Sequence, residues 1–348
     1  MKQGILLINL GSPDSYQKED VRRYLGEFLM DERVIDFSKA LRTFLIKGII
    51  LNTRPKKSAA AYESIWWPEG SPLIVLSERL QKAVQQHTEL PVELAMRYGN
   101  PSIQEGLQRL QQNNADLEEV VVMPLYPHYA MSSYETVAVK AQEVAQQHFP
   151  ELKLHIQEAF YKDKRYVEIL SHSLKSFLEK EYDHVLFSYH GIPERHIKKS
   201  DVTRSHCLAN GDCCERDSPA HLTCYRHQTQ ETTRMVAQHL NLPEGHYSTS
   251  YQSRLGPIQW LTPYTDKTIA AFPAKGVKKL VVLCPAFVSD CLETIEEIGV
   301  EAREIFLENG GEEFTLVPCL NDRSDWAQYL VQLAQEKLEK EALSLVKS

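Results

Sequence analysis

The sequence contains no run of about 20 uninterrupted apolar residues, the length a bilayer-spanning helix needs, and no long basic stretch. The first absence excludes a membrane-spanning helix. The second, with a net charge of -8, argues against nucleic acid as a partner and leaves a small-molecule site as the better expectation. The opening ten residues carry one lysine and a short apolar run that stops at Gly11-Ser12-Pro13, without the length or cleavage region of a signal peptide, so a cytoplasmic location is expected. Cysteine is sparse except in one place: Cys207, Cys213, Cys214 and Cys224 crowd one segment, and only Cys284, Cys291 and Cys319 lie elsewhere. In a reducing compartment such crowding points to metal or cluster ligation before disulfides.

What is present is a soluble globular composition, 43% hydrophobic and 25% charged, over 348 residues. That is more chain than one core usually holds, so two domains or two fused halves are expected. Apolar strand patterns at 4–10, 92–98, 120–127 and 185–190 alternate with helical periodicity, which predicts parallel sheets covered on both faces. The second half repeats the first. Leu10-Gly11-Ser12-Pro13 is echoed by His190-Gly191-Ile192-Pro193, each after an apolar strand, and 120–137 by 279–295, each including its strand. The expected fold is therefore α/β, two similar Rossmann-like halves, each a parallel sheet flanked by helices, with a cleft between them. The expected spans are 1–165, 166–321 containing the cysteine-rich segment 200–225, and a helix over 322–348 that packs back on the body.

Three loops in the second half carry candidate chemistry. Val185 to Tyr189 delivers His190 to a strand end, where open α/β sheets bind ligands and where an imidazole can accept a proton; a structural histidine is the alternative. Tyr251 to Trp260 is rich in donors and ends in an aromatic that can stack on a flat ligand. Cys284 to Thr294 turns into a helix on which Glu293, Glu297 and Glu301 recur at four-residue spacing on one face. A solvated helix face accounts for such a row, and so does a path for protons or a divalent metal. The apolar stretch 37–51 covers more than one helix face, as a core element or as a greasy lip that admits an apolar ligand or rests on a membrane surface.

Together, Ser188-Tyr189-His190-Gly191-Ile192-Pro193, Tyr251-Gln252-Ser253-Arg254-Leu255-Gly256-Pro257 with Trp260, and Phe287-Val288-Ser289-Asp290-Cys291-Leu292-Glu293-Thr294 resemble the ferrochelatases, terminal lyases of haem synthesis. The resemblance runs over nearly the whole chain. It implies chelatase-type halves and insertion of Fe(II) into a porphyrin with release of two pyrrole protons. His190 matches the proton acceptor and Glu293 the carboxylate facing it. A metal-binding set of His190, Glu293, Glu297 and Glu301 is implied, with porphyrin contacts from Leu10, Ser12, Arg97, Tyr98, Tyr126, Ser253 and Trp260. Stretch 37–51 matches the family's mobile lip, and peripheral contact with the inner membrane face and haem-pathway enzymes as partners are implied. Arg54-Pro55-Lys56-Lys57-Ser58 resembles protoporphyrin-using members, with coproporphyrin III as the alternative substrate and a non-catalytic tetrapyrrole or metal carrier as the alternative activity. Some family members carry histidine at Cys291, which puts a direct role for that side chain in doubt. Cys207, Cys213, Cys214 and Cys224 match the demand of a [2Fe-2S] cluster, which some ferrochelatases carry on four cysteines; a zinc site helped by His206, His221 or His227, or reduced thiols, are the alternatives.

Overall fold

The computed structural model describes residues 2–346, so Met1 and the end of the expected 322–348 span lie outside the described residues. Two four-stranded parallel sheets are present. The first is ordered β2-β1-β3-β4, from β1 (Gln3–Asn9), β2 (Val92–Met96), β3 (Glu119–Pro124) and β4 (Lys153–Ile156). The second is ordered β6-β5-β7-β8, from β5 (His184–His190), β6 (Tyr247–Gln252), β7 (Lys279–Leu283) and β8 (Glu313–Leu316). The order is the same in both, as the repeated loops predict. Ile5 to Ile8, Val120 to Met123 and Val185 to Phe187 are entirely buried, which is why the strands read as unbroken apolar runs rather than alternations.

The chain separates into two compact units. The first comprises 1–125, 131–158 and 321–348; the second comprises 126–130 and 159–320. The boundary thus falls after Glu158 rather than after 165, and the short Tyr126–Ala130 segment belongs with the second unit. Helix Ser324–Val346 lies against helix Pro72–Gln85 and β3 in the first unit, where Lys337 bonds Glu158 at 2.7 Å.

Three helical stretches widen into π turns, in which each N–H reaches back five residues: Phe44–Ile50, Met131–Glu135 and Glu293–Ala302. The last two follow β3 and β7, equivalent strands of the two sheets. The lip is helical from Lys39, α-helical to Thr43, π-helical to Ile50 and closed by Leu51–Thr53. Its two apolar faces part ways. Ile46 and Leu51 are buried, while Phe44 is 64% exposed beside exposed Leu41 and Ile49. Arg42, which the sequence places among apolar residues, is buried and donates to the carbonyls of Ile35 and Phe37. No helix among the described residues is long and apolar enough to cross a membrane.

Candidate active site

His190 ends β5 in the second unit, where the strand meets a glycine that cannot be replaced freely. A Cβ on Gly191 would stand 2.8 Å from the carbonyl oxygen of Gln252, the same oxygen that accepts the Gly191 N–H at 2.7 Å. The loop beyond is zipped to the Trp260 loop: Glu194 N–H donates to Gln259, and Leu261 N–H to Ile192. Trp260 therefore lies against Gly191, with its indole N–H on the Leu255 carbonyl at 3.0 Å. The imidazole Nδ1 of His190 is 2.6 Å from the Gly191 carbonyl. A carbonyl only accepts, so Nδ1 carries the proton and the neutral ring keeps its lone pair on Nε2. Burial pushes the imidazole below its ordinary pKa, and the Glu293 carboxylate and the Gly191 carbonyl pull in the other direction.

Glu293 and Glu297 stand on the π-helical stretch after β7, half-buried, and Glu301, one step further along the row, is exposed. The acidic row thus runs from the neighbourhood of His190 to solvent. Burial pushes Glu297 up to about 7, reinforced by the like charges of Glu293 and Glu301 and opposed by the Ser253 hydroxyl, which donates to its carboxylate. Ser253 takes a left-handed backbone conformation, φ 64°, immediately after β6. Gln252 joins these parts: its side-chain amide receives the Ser188 hydroxyl at 2.7 Å and donates to the Glu293 backbone carbonyl at 3.2 Å. Sequence reasoning quoted Gln252 within a motif and missed that it bolts β5, β6 and the π helix together. In the polar strand Tyr-Ser-Thr-Ser-Tyr-Gln nothing local sets Gln252 apart, so its role shows only in the fold. Cys291 is buried, and burial with the adjacent Glu293 charge holds its thiol well above the usual range, hence protonated.

In the first unit Leu10 follows β1, and Gly11 takes φ +109°, where a Cβ would collide with the Tyr98 carbonyl. Ser12 is buried with its hydroxyl on Ser71 at 2.7 Å. Arg97 and Tyr98 converge on a residue that sequence reasoning passed over, Asp31. Its carboxylate pairs with the Arg97 guanidinium, accepts the Thr136 hydroxyl at 2.6 Å and accepts the Tyr98 hydroxyl at 3.0 Å. Burial alone raises the Asp31 pKa, but Thr136, the Arg33 N–H and the Arg97 charge outweigh it and hold the acid below the usual range. Tyr98 is fully buried, with the guanidinium carbon of Arg97 4.3 Å from its ring centre. Tyr126 lies in the short segment assigned to the second unit and is half-buried.

The four clustered cysteines are also brought together in the second unit. Cys207 and Cys214 direct their thiols to Cys224, which lowers Cys224 to about 3 and raises both donors far above the thiol range. Cys213 Sγ receives the Leu208 N–H at 3.4 Å. Each of the histidines suggested as ligands bonds a backbone carbonyl through one ring nitrogen. His206 and His221 donate from Nε2 to the Cys213 carbonyl at 2.6 and 3.2 Å, and His227 donates from Nδ1 to the Cys214 carbonyl at 2.9 Å. His221 and His227 stack with ring centres 3.6 Å apart. Among the described residues no three His, Cys, Asp or Glu side chains are spaced to hold a metal ion. Four cysteine thiols are the kind of donor set that an iron–sulfur group uses.

The family model described as Ferrochelatase matches residues 2–338. The chain belongs to the ferrochelatase family. It is 51% identical over 334 residues to the ferrochelatase of Stutzerimonas stutzeri (strain A1501), covering 95% of this chain and 97% of that one. It is 49% identical to the ferrochelatase of Azotobacter vinelandii (strain DJ / ATCC BAA-1303), covering 95% and 98%. The fold is also that of SirB, the sirohydrochlorin chelatase of Bacillus subtilis subspecies spizizenii solved with cobalt, at TM-score 0.54 and 11% identity over 97% of this chain and 96% of that chain. The Bacillus subtilis SirB structure with Fe3+ matches at TM-score 0.52 and 12% identity, covering 97% and 96%. Family membership makes the protein an enzyme of haem synthesis that inserts iron into a porphyrin.

Proposed function

We propose that the chain inserts Fe(II) into protoporphyrin IX to give protohaem, with the Nε2 atom of His190 as acceptor of the pyrrole protons. The observation that carries this is the Nδ1–H bond from His190 to the Gly191 carbonyl, which leaves a neutral ring with its free lone pair on Nε2. A flat macrocycle presents its N–H groups poorly, so the reaction calls for a porphyrin bound bent towards that atom. Glu293 stabilises the imidazolium that forms, as its pull on the His190 pKa indicates. Protons or the incoming metal pass along Glu293, Glu297 and Glu301. An acid near pH 7 such as Glu297 can hold and release a proton under working conditions.

Leu10 and Trp260 supply apolar contact to the ring, and Ser12, Tyr126 and Ser253 supply polar contact. Within the first unit Arg97 and buried Tyr98 act through Asp31. The exposed Leu41, Phe44 and Ile49 of the lip rest against an apolar partner, the porphyrin or the face of the inner membrane. Cys207, Cys213, Cys214 and Cys224 are assigned to a [2Fe-2S] group, which when bound would supply an iron–thiolate staple to the segment. The decisive experiment is steady-state insertion of Fe(II) or Zn(II) into protoporphyrin and coproporphyrin by the wild type and His190→Ala. Multiple turnovers, a preference for protoporphyrin and a loss of at least a hundredfold in the variant are expected. A single stoichiometric event marks a carrier, and wild-type turnover in His190→Ala removes the assigned role.

A further inference from the structure

We propose that Tyr225 is a positioning residue for His190, and that through it the cysteine segment is mechanically joined to the active site. The inference rests on the roles proposed above for His190 and for the four cysteines. Cys224 stands at the N-cap of helix Tyr225–His239, so the first residue of that helix is the covalent neighbour of a candidate ligand. One face of the helix carries Tyr225, Thr229 and Thr233 at four-residue spacing. Each bonds a residue of β5 or β6. The Tyr225 hydroxyl donates to the backbone carbonyl of His190 at 2.9 Å, Thr229 pairs with the Tyr251 hydroxyl at 2.9 Å, and Thr233 with the Tyr189 hydroxyl at 2.9 Å. The helix is therefore bolted at successive turns, and the bolt nearest the cysteines falls on His190.

What Tyr225 holds is the peptide unit between His190 and Gly191. Its carbonyl accepts from Tyr225, and its N–H donates to Gln252 at 2.7 Å. The next carbonyl, that of Gly191, holds the imidazole Nδ1. A tilt of that peptide unit would turn Nε2 away from its working direction. Tyr225 is buried, with its ring edge against His128 at 6.0 Å between ring centres, and its partner is a carbonyl that can only accept, so the phenol is the donor. On the far side, the Asp201 carboxylate accepts the N–H groups of His206 and Cys207, each at 2.8 Å, and Thr223 donates to the Ser200 carbonyl. The segment is thus tied at both ends, and closing the four thiols on a common group pins the helix start that carries Tyr225. Opening them releases it.

The test compares full-length wild type, Cys224→Ser, Tyr225→Phe and the double variant, purified without oxygen. Iron and sulfide content, visible absorbance, near-ultraviolet circular dichroism, and kcat and KM for Zn(II) insertion into protoporphyrin are measured for each. Tyr225→Phe is expected to keep the wild-type iron, sulfide and spectrum and an unchanged porphyrin KM. Its kcat should fall about three- to tenfold, the effect of one lost hydrogen bond. Cys224→Ser is expected to lose the visible bands and part of kcat, and the double variant to be no slower than the slower single. Wild-type kcat in Tyr225→Phe, or strictly multiplicative losses in the double variant, overturns the link. Thr229→Val removes a bond of the same kind away from His190 and should keep wild-type kcat; a loss equal to that of Tyr225→Phe indicates general loosening and also overturns it. Wild-type protein lacking iron and sulfide refutes the cysteine assignment, while the kcat of Tyr225→Phe still decides the positioning role.

Discussion

Glu297 places function and stability in opposition, and Glu297→Gln measures both. In the unfolded chain its carboxyl titrates near the ordinary 4.5, and in the fold it is pushed up to about 7. That is a factor of about 300 in acidity, equivalent to about 3 kcal/mol. Between those two values the folded state binds the extra proton, so stability falls as pH rises from 4.5 to 7. Above 7 the ionised carboxylate costs the fold the full amount. Glutamine removes the charge and keeps most of the shape, at the loss of about 1 kcal/mol from the charged bond that Ser253 donates. The net gain at pH 8 is about 2 kcal/mol, or a rise in Tm of about 4–8 °C at the sensitivity of a unit this size. At pH 4.5, where Glu297 is protonated in the fold and only half ionised in the unfolded chain, little gain remains. Metal insertion should fall in the same variant, because the acidic row is broken at its middle member. Thermal melts by circular dichroism at pH 4.5 and 8, with insertion rates alongside, check both. A variant that melts at or below the wild type at pH 8 would refute the reasoning, since the buried charge would then carry no cost.

Gly191→Ala sets a methyl group against the Gln252 carbonyl oxygen, which is backbone and cannot swing away. A destabilisation of about 2 kcal/mol and a fall in kcat larger than any change in porphyrin KM are expected, read by urea unfolding and steady-state insertion. Asp31→Asn leaves the Arg97 guanidinium, only 11% exposed, without its counter-charge. Loss of about 3 kcal/mol is expected from an uncompensated buried charge, and the first unit should melt earlier at pH 7. Since the native Asp31 pKa lies below the usual range, its contribution is present at neutral pH and vanishes on acidification, so the gap between variant and wild type should close as pH falls through the native value.

The candidate site is proposed from residues that the sequence places in short loops at strand ends. His190, Ser253, Trp260 and Glu293 are read from such loops, and the second unit holds them on linked backbone. The members that sequence reasoning missed are polar residues with distant partners. Asp31 meets Arg97, Gln252 meets Glu293, and Tyr225 meets His190, across separations that no local pattern encodes. The lip shows the same limit from the other side. Its apolar excess was visible, but which residues face water and which are buried depends on where the helix packs and on the π turns within it.

By itself the sequence determined the α/β class, the two repeated sheets and the family, because buried parallel strands must be apolar and the turns at their ends demand glycine and proline at fixed places. Tertiary structure alone decided the chemical states within that frame. The tautomer of His190, the acidity of Glu297, the low pKa of Cys224 and the buried charge pair at Asp31 each depend on burial and on neighbours brought in from elsewhere in the chain. Electrostatic free energy varies with distance and local dielectric, and neither is a property of residue order.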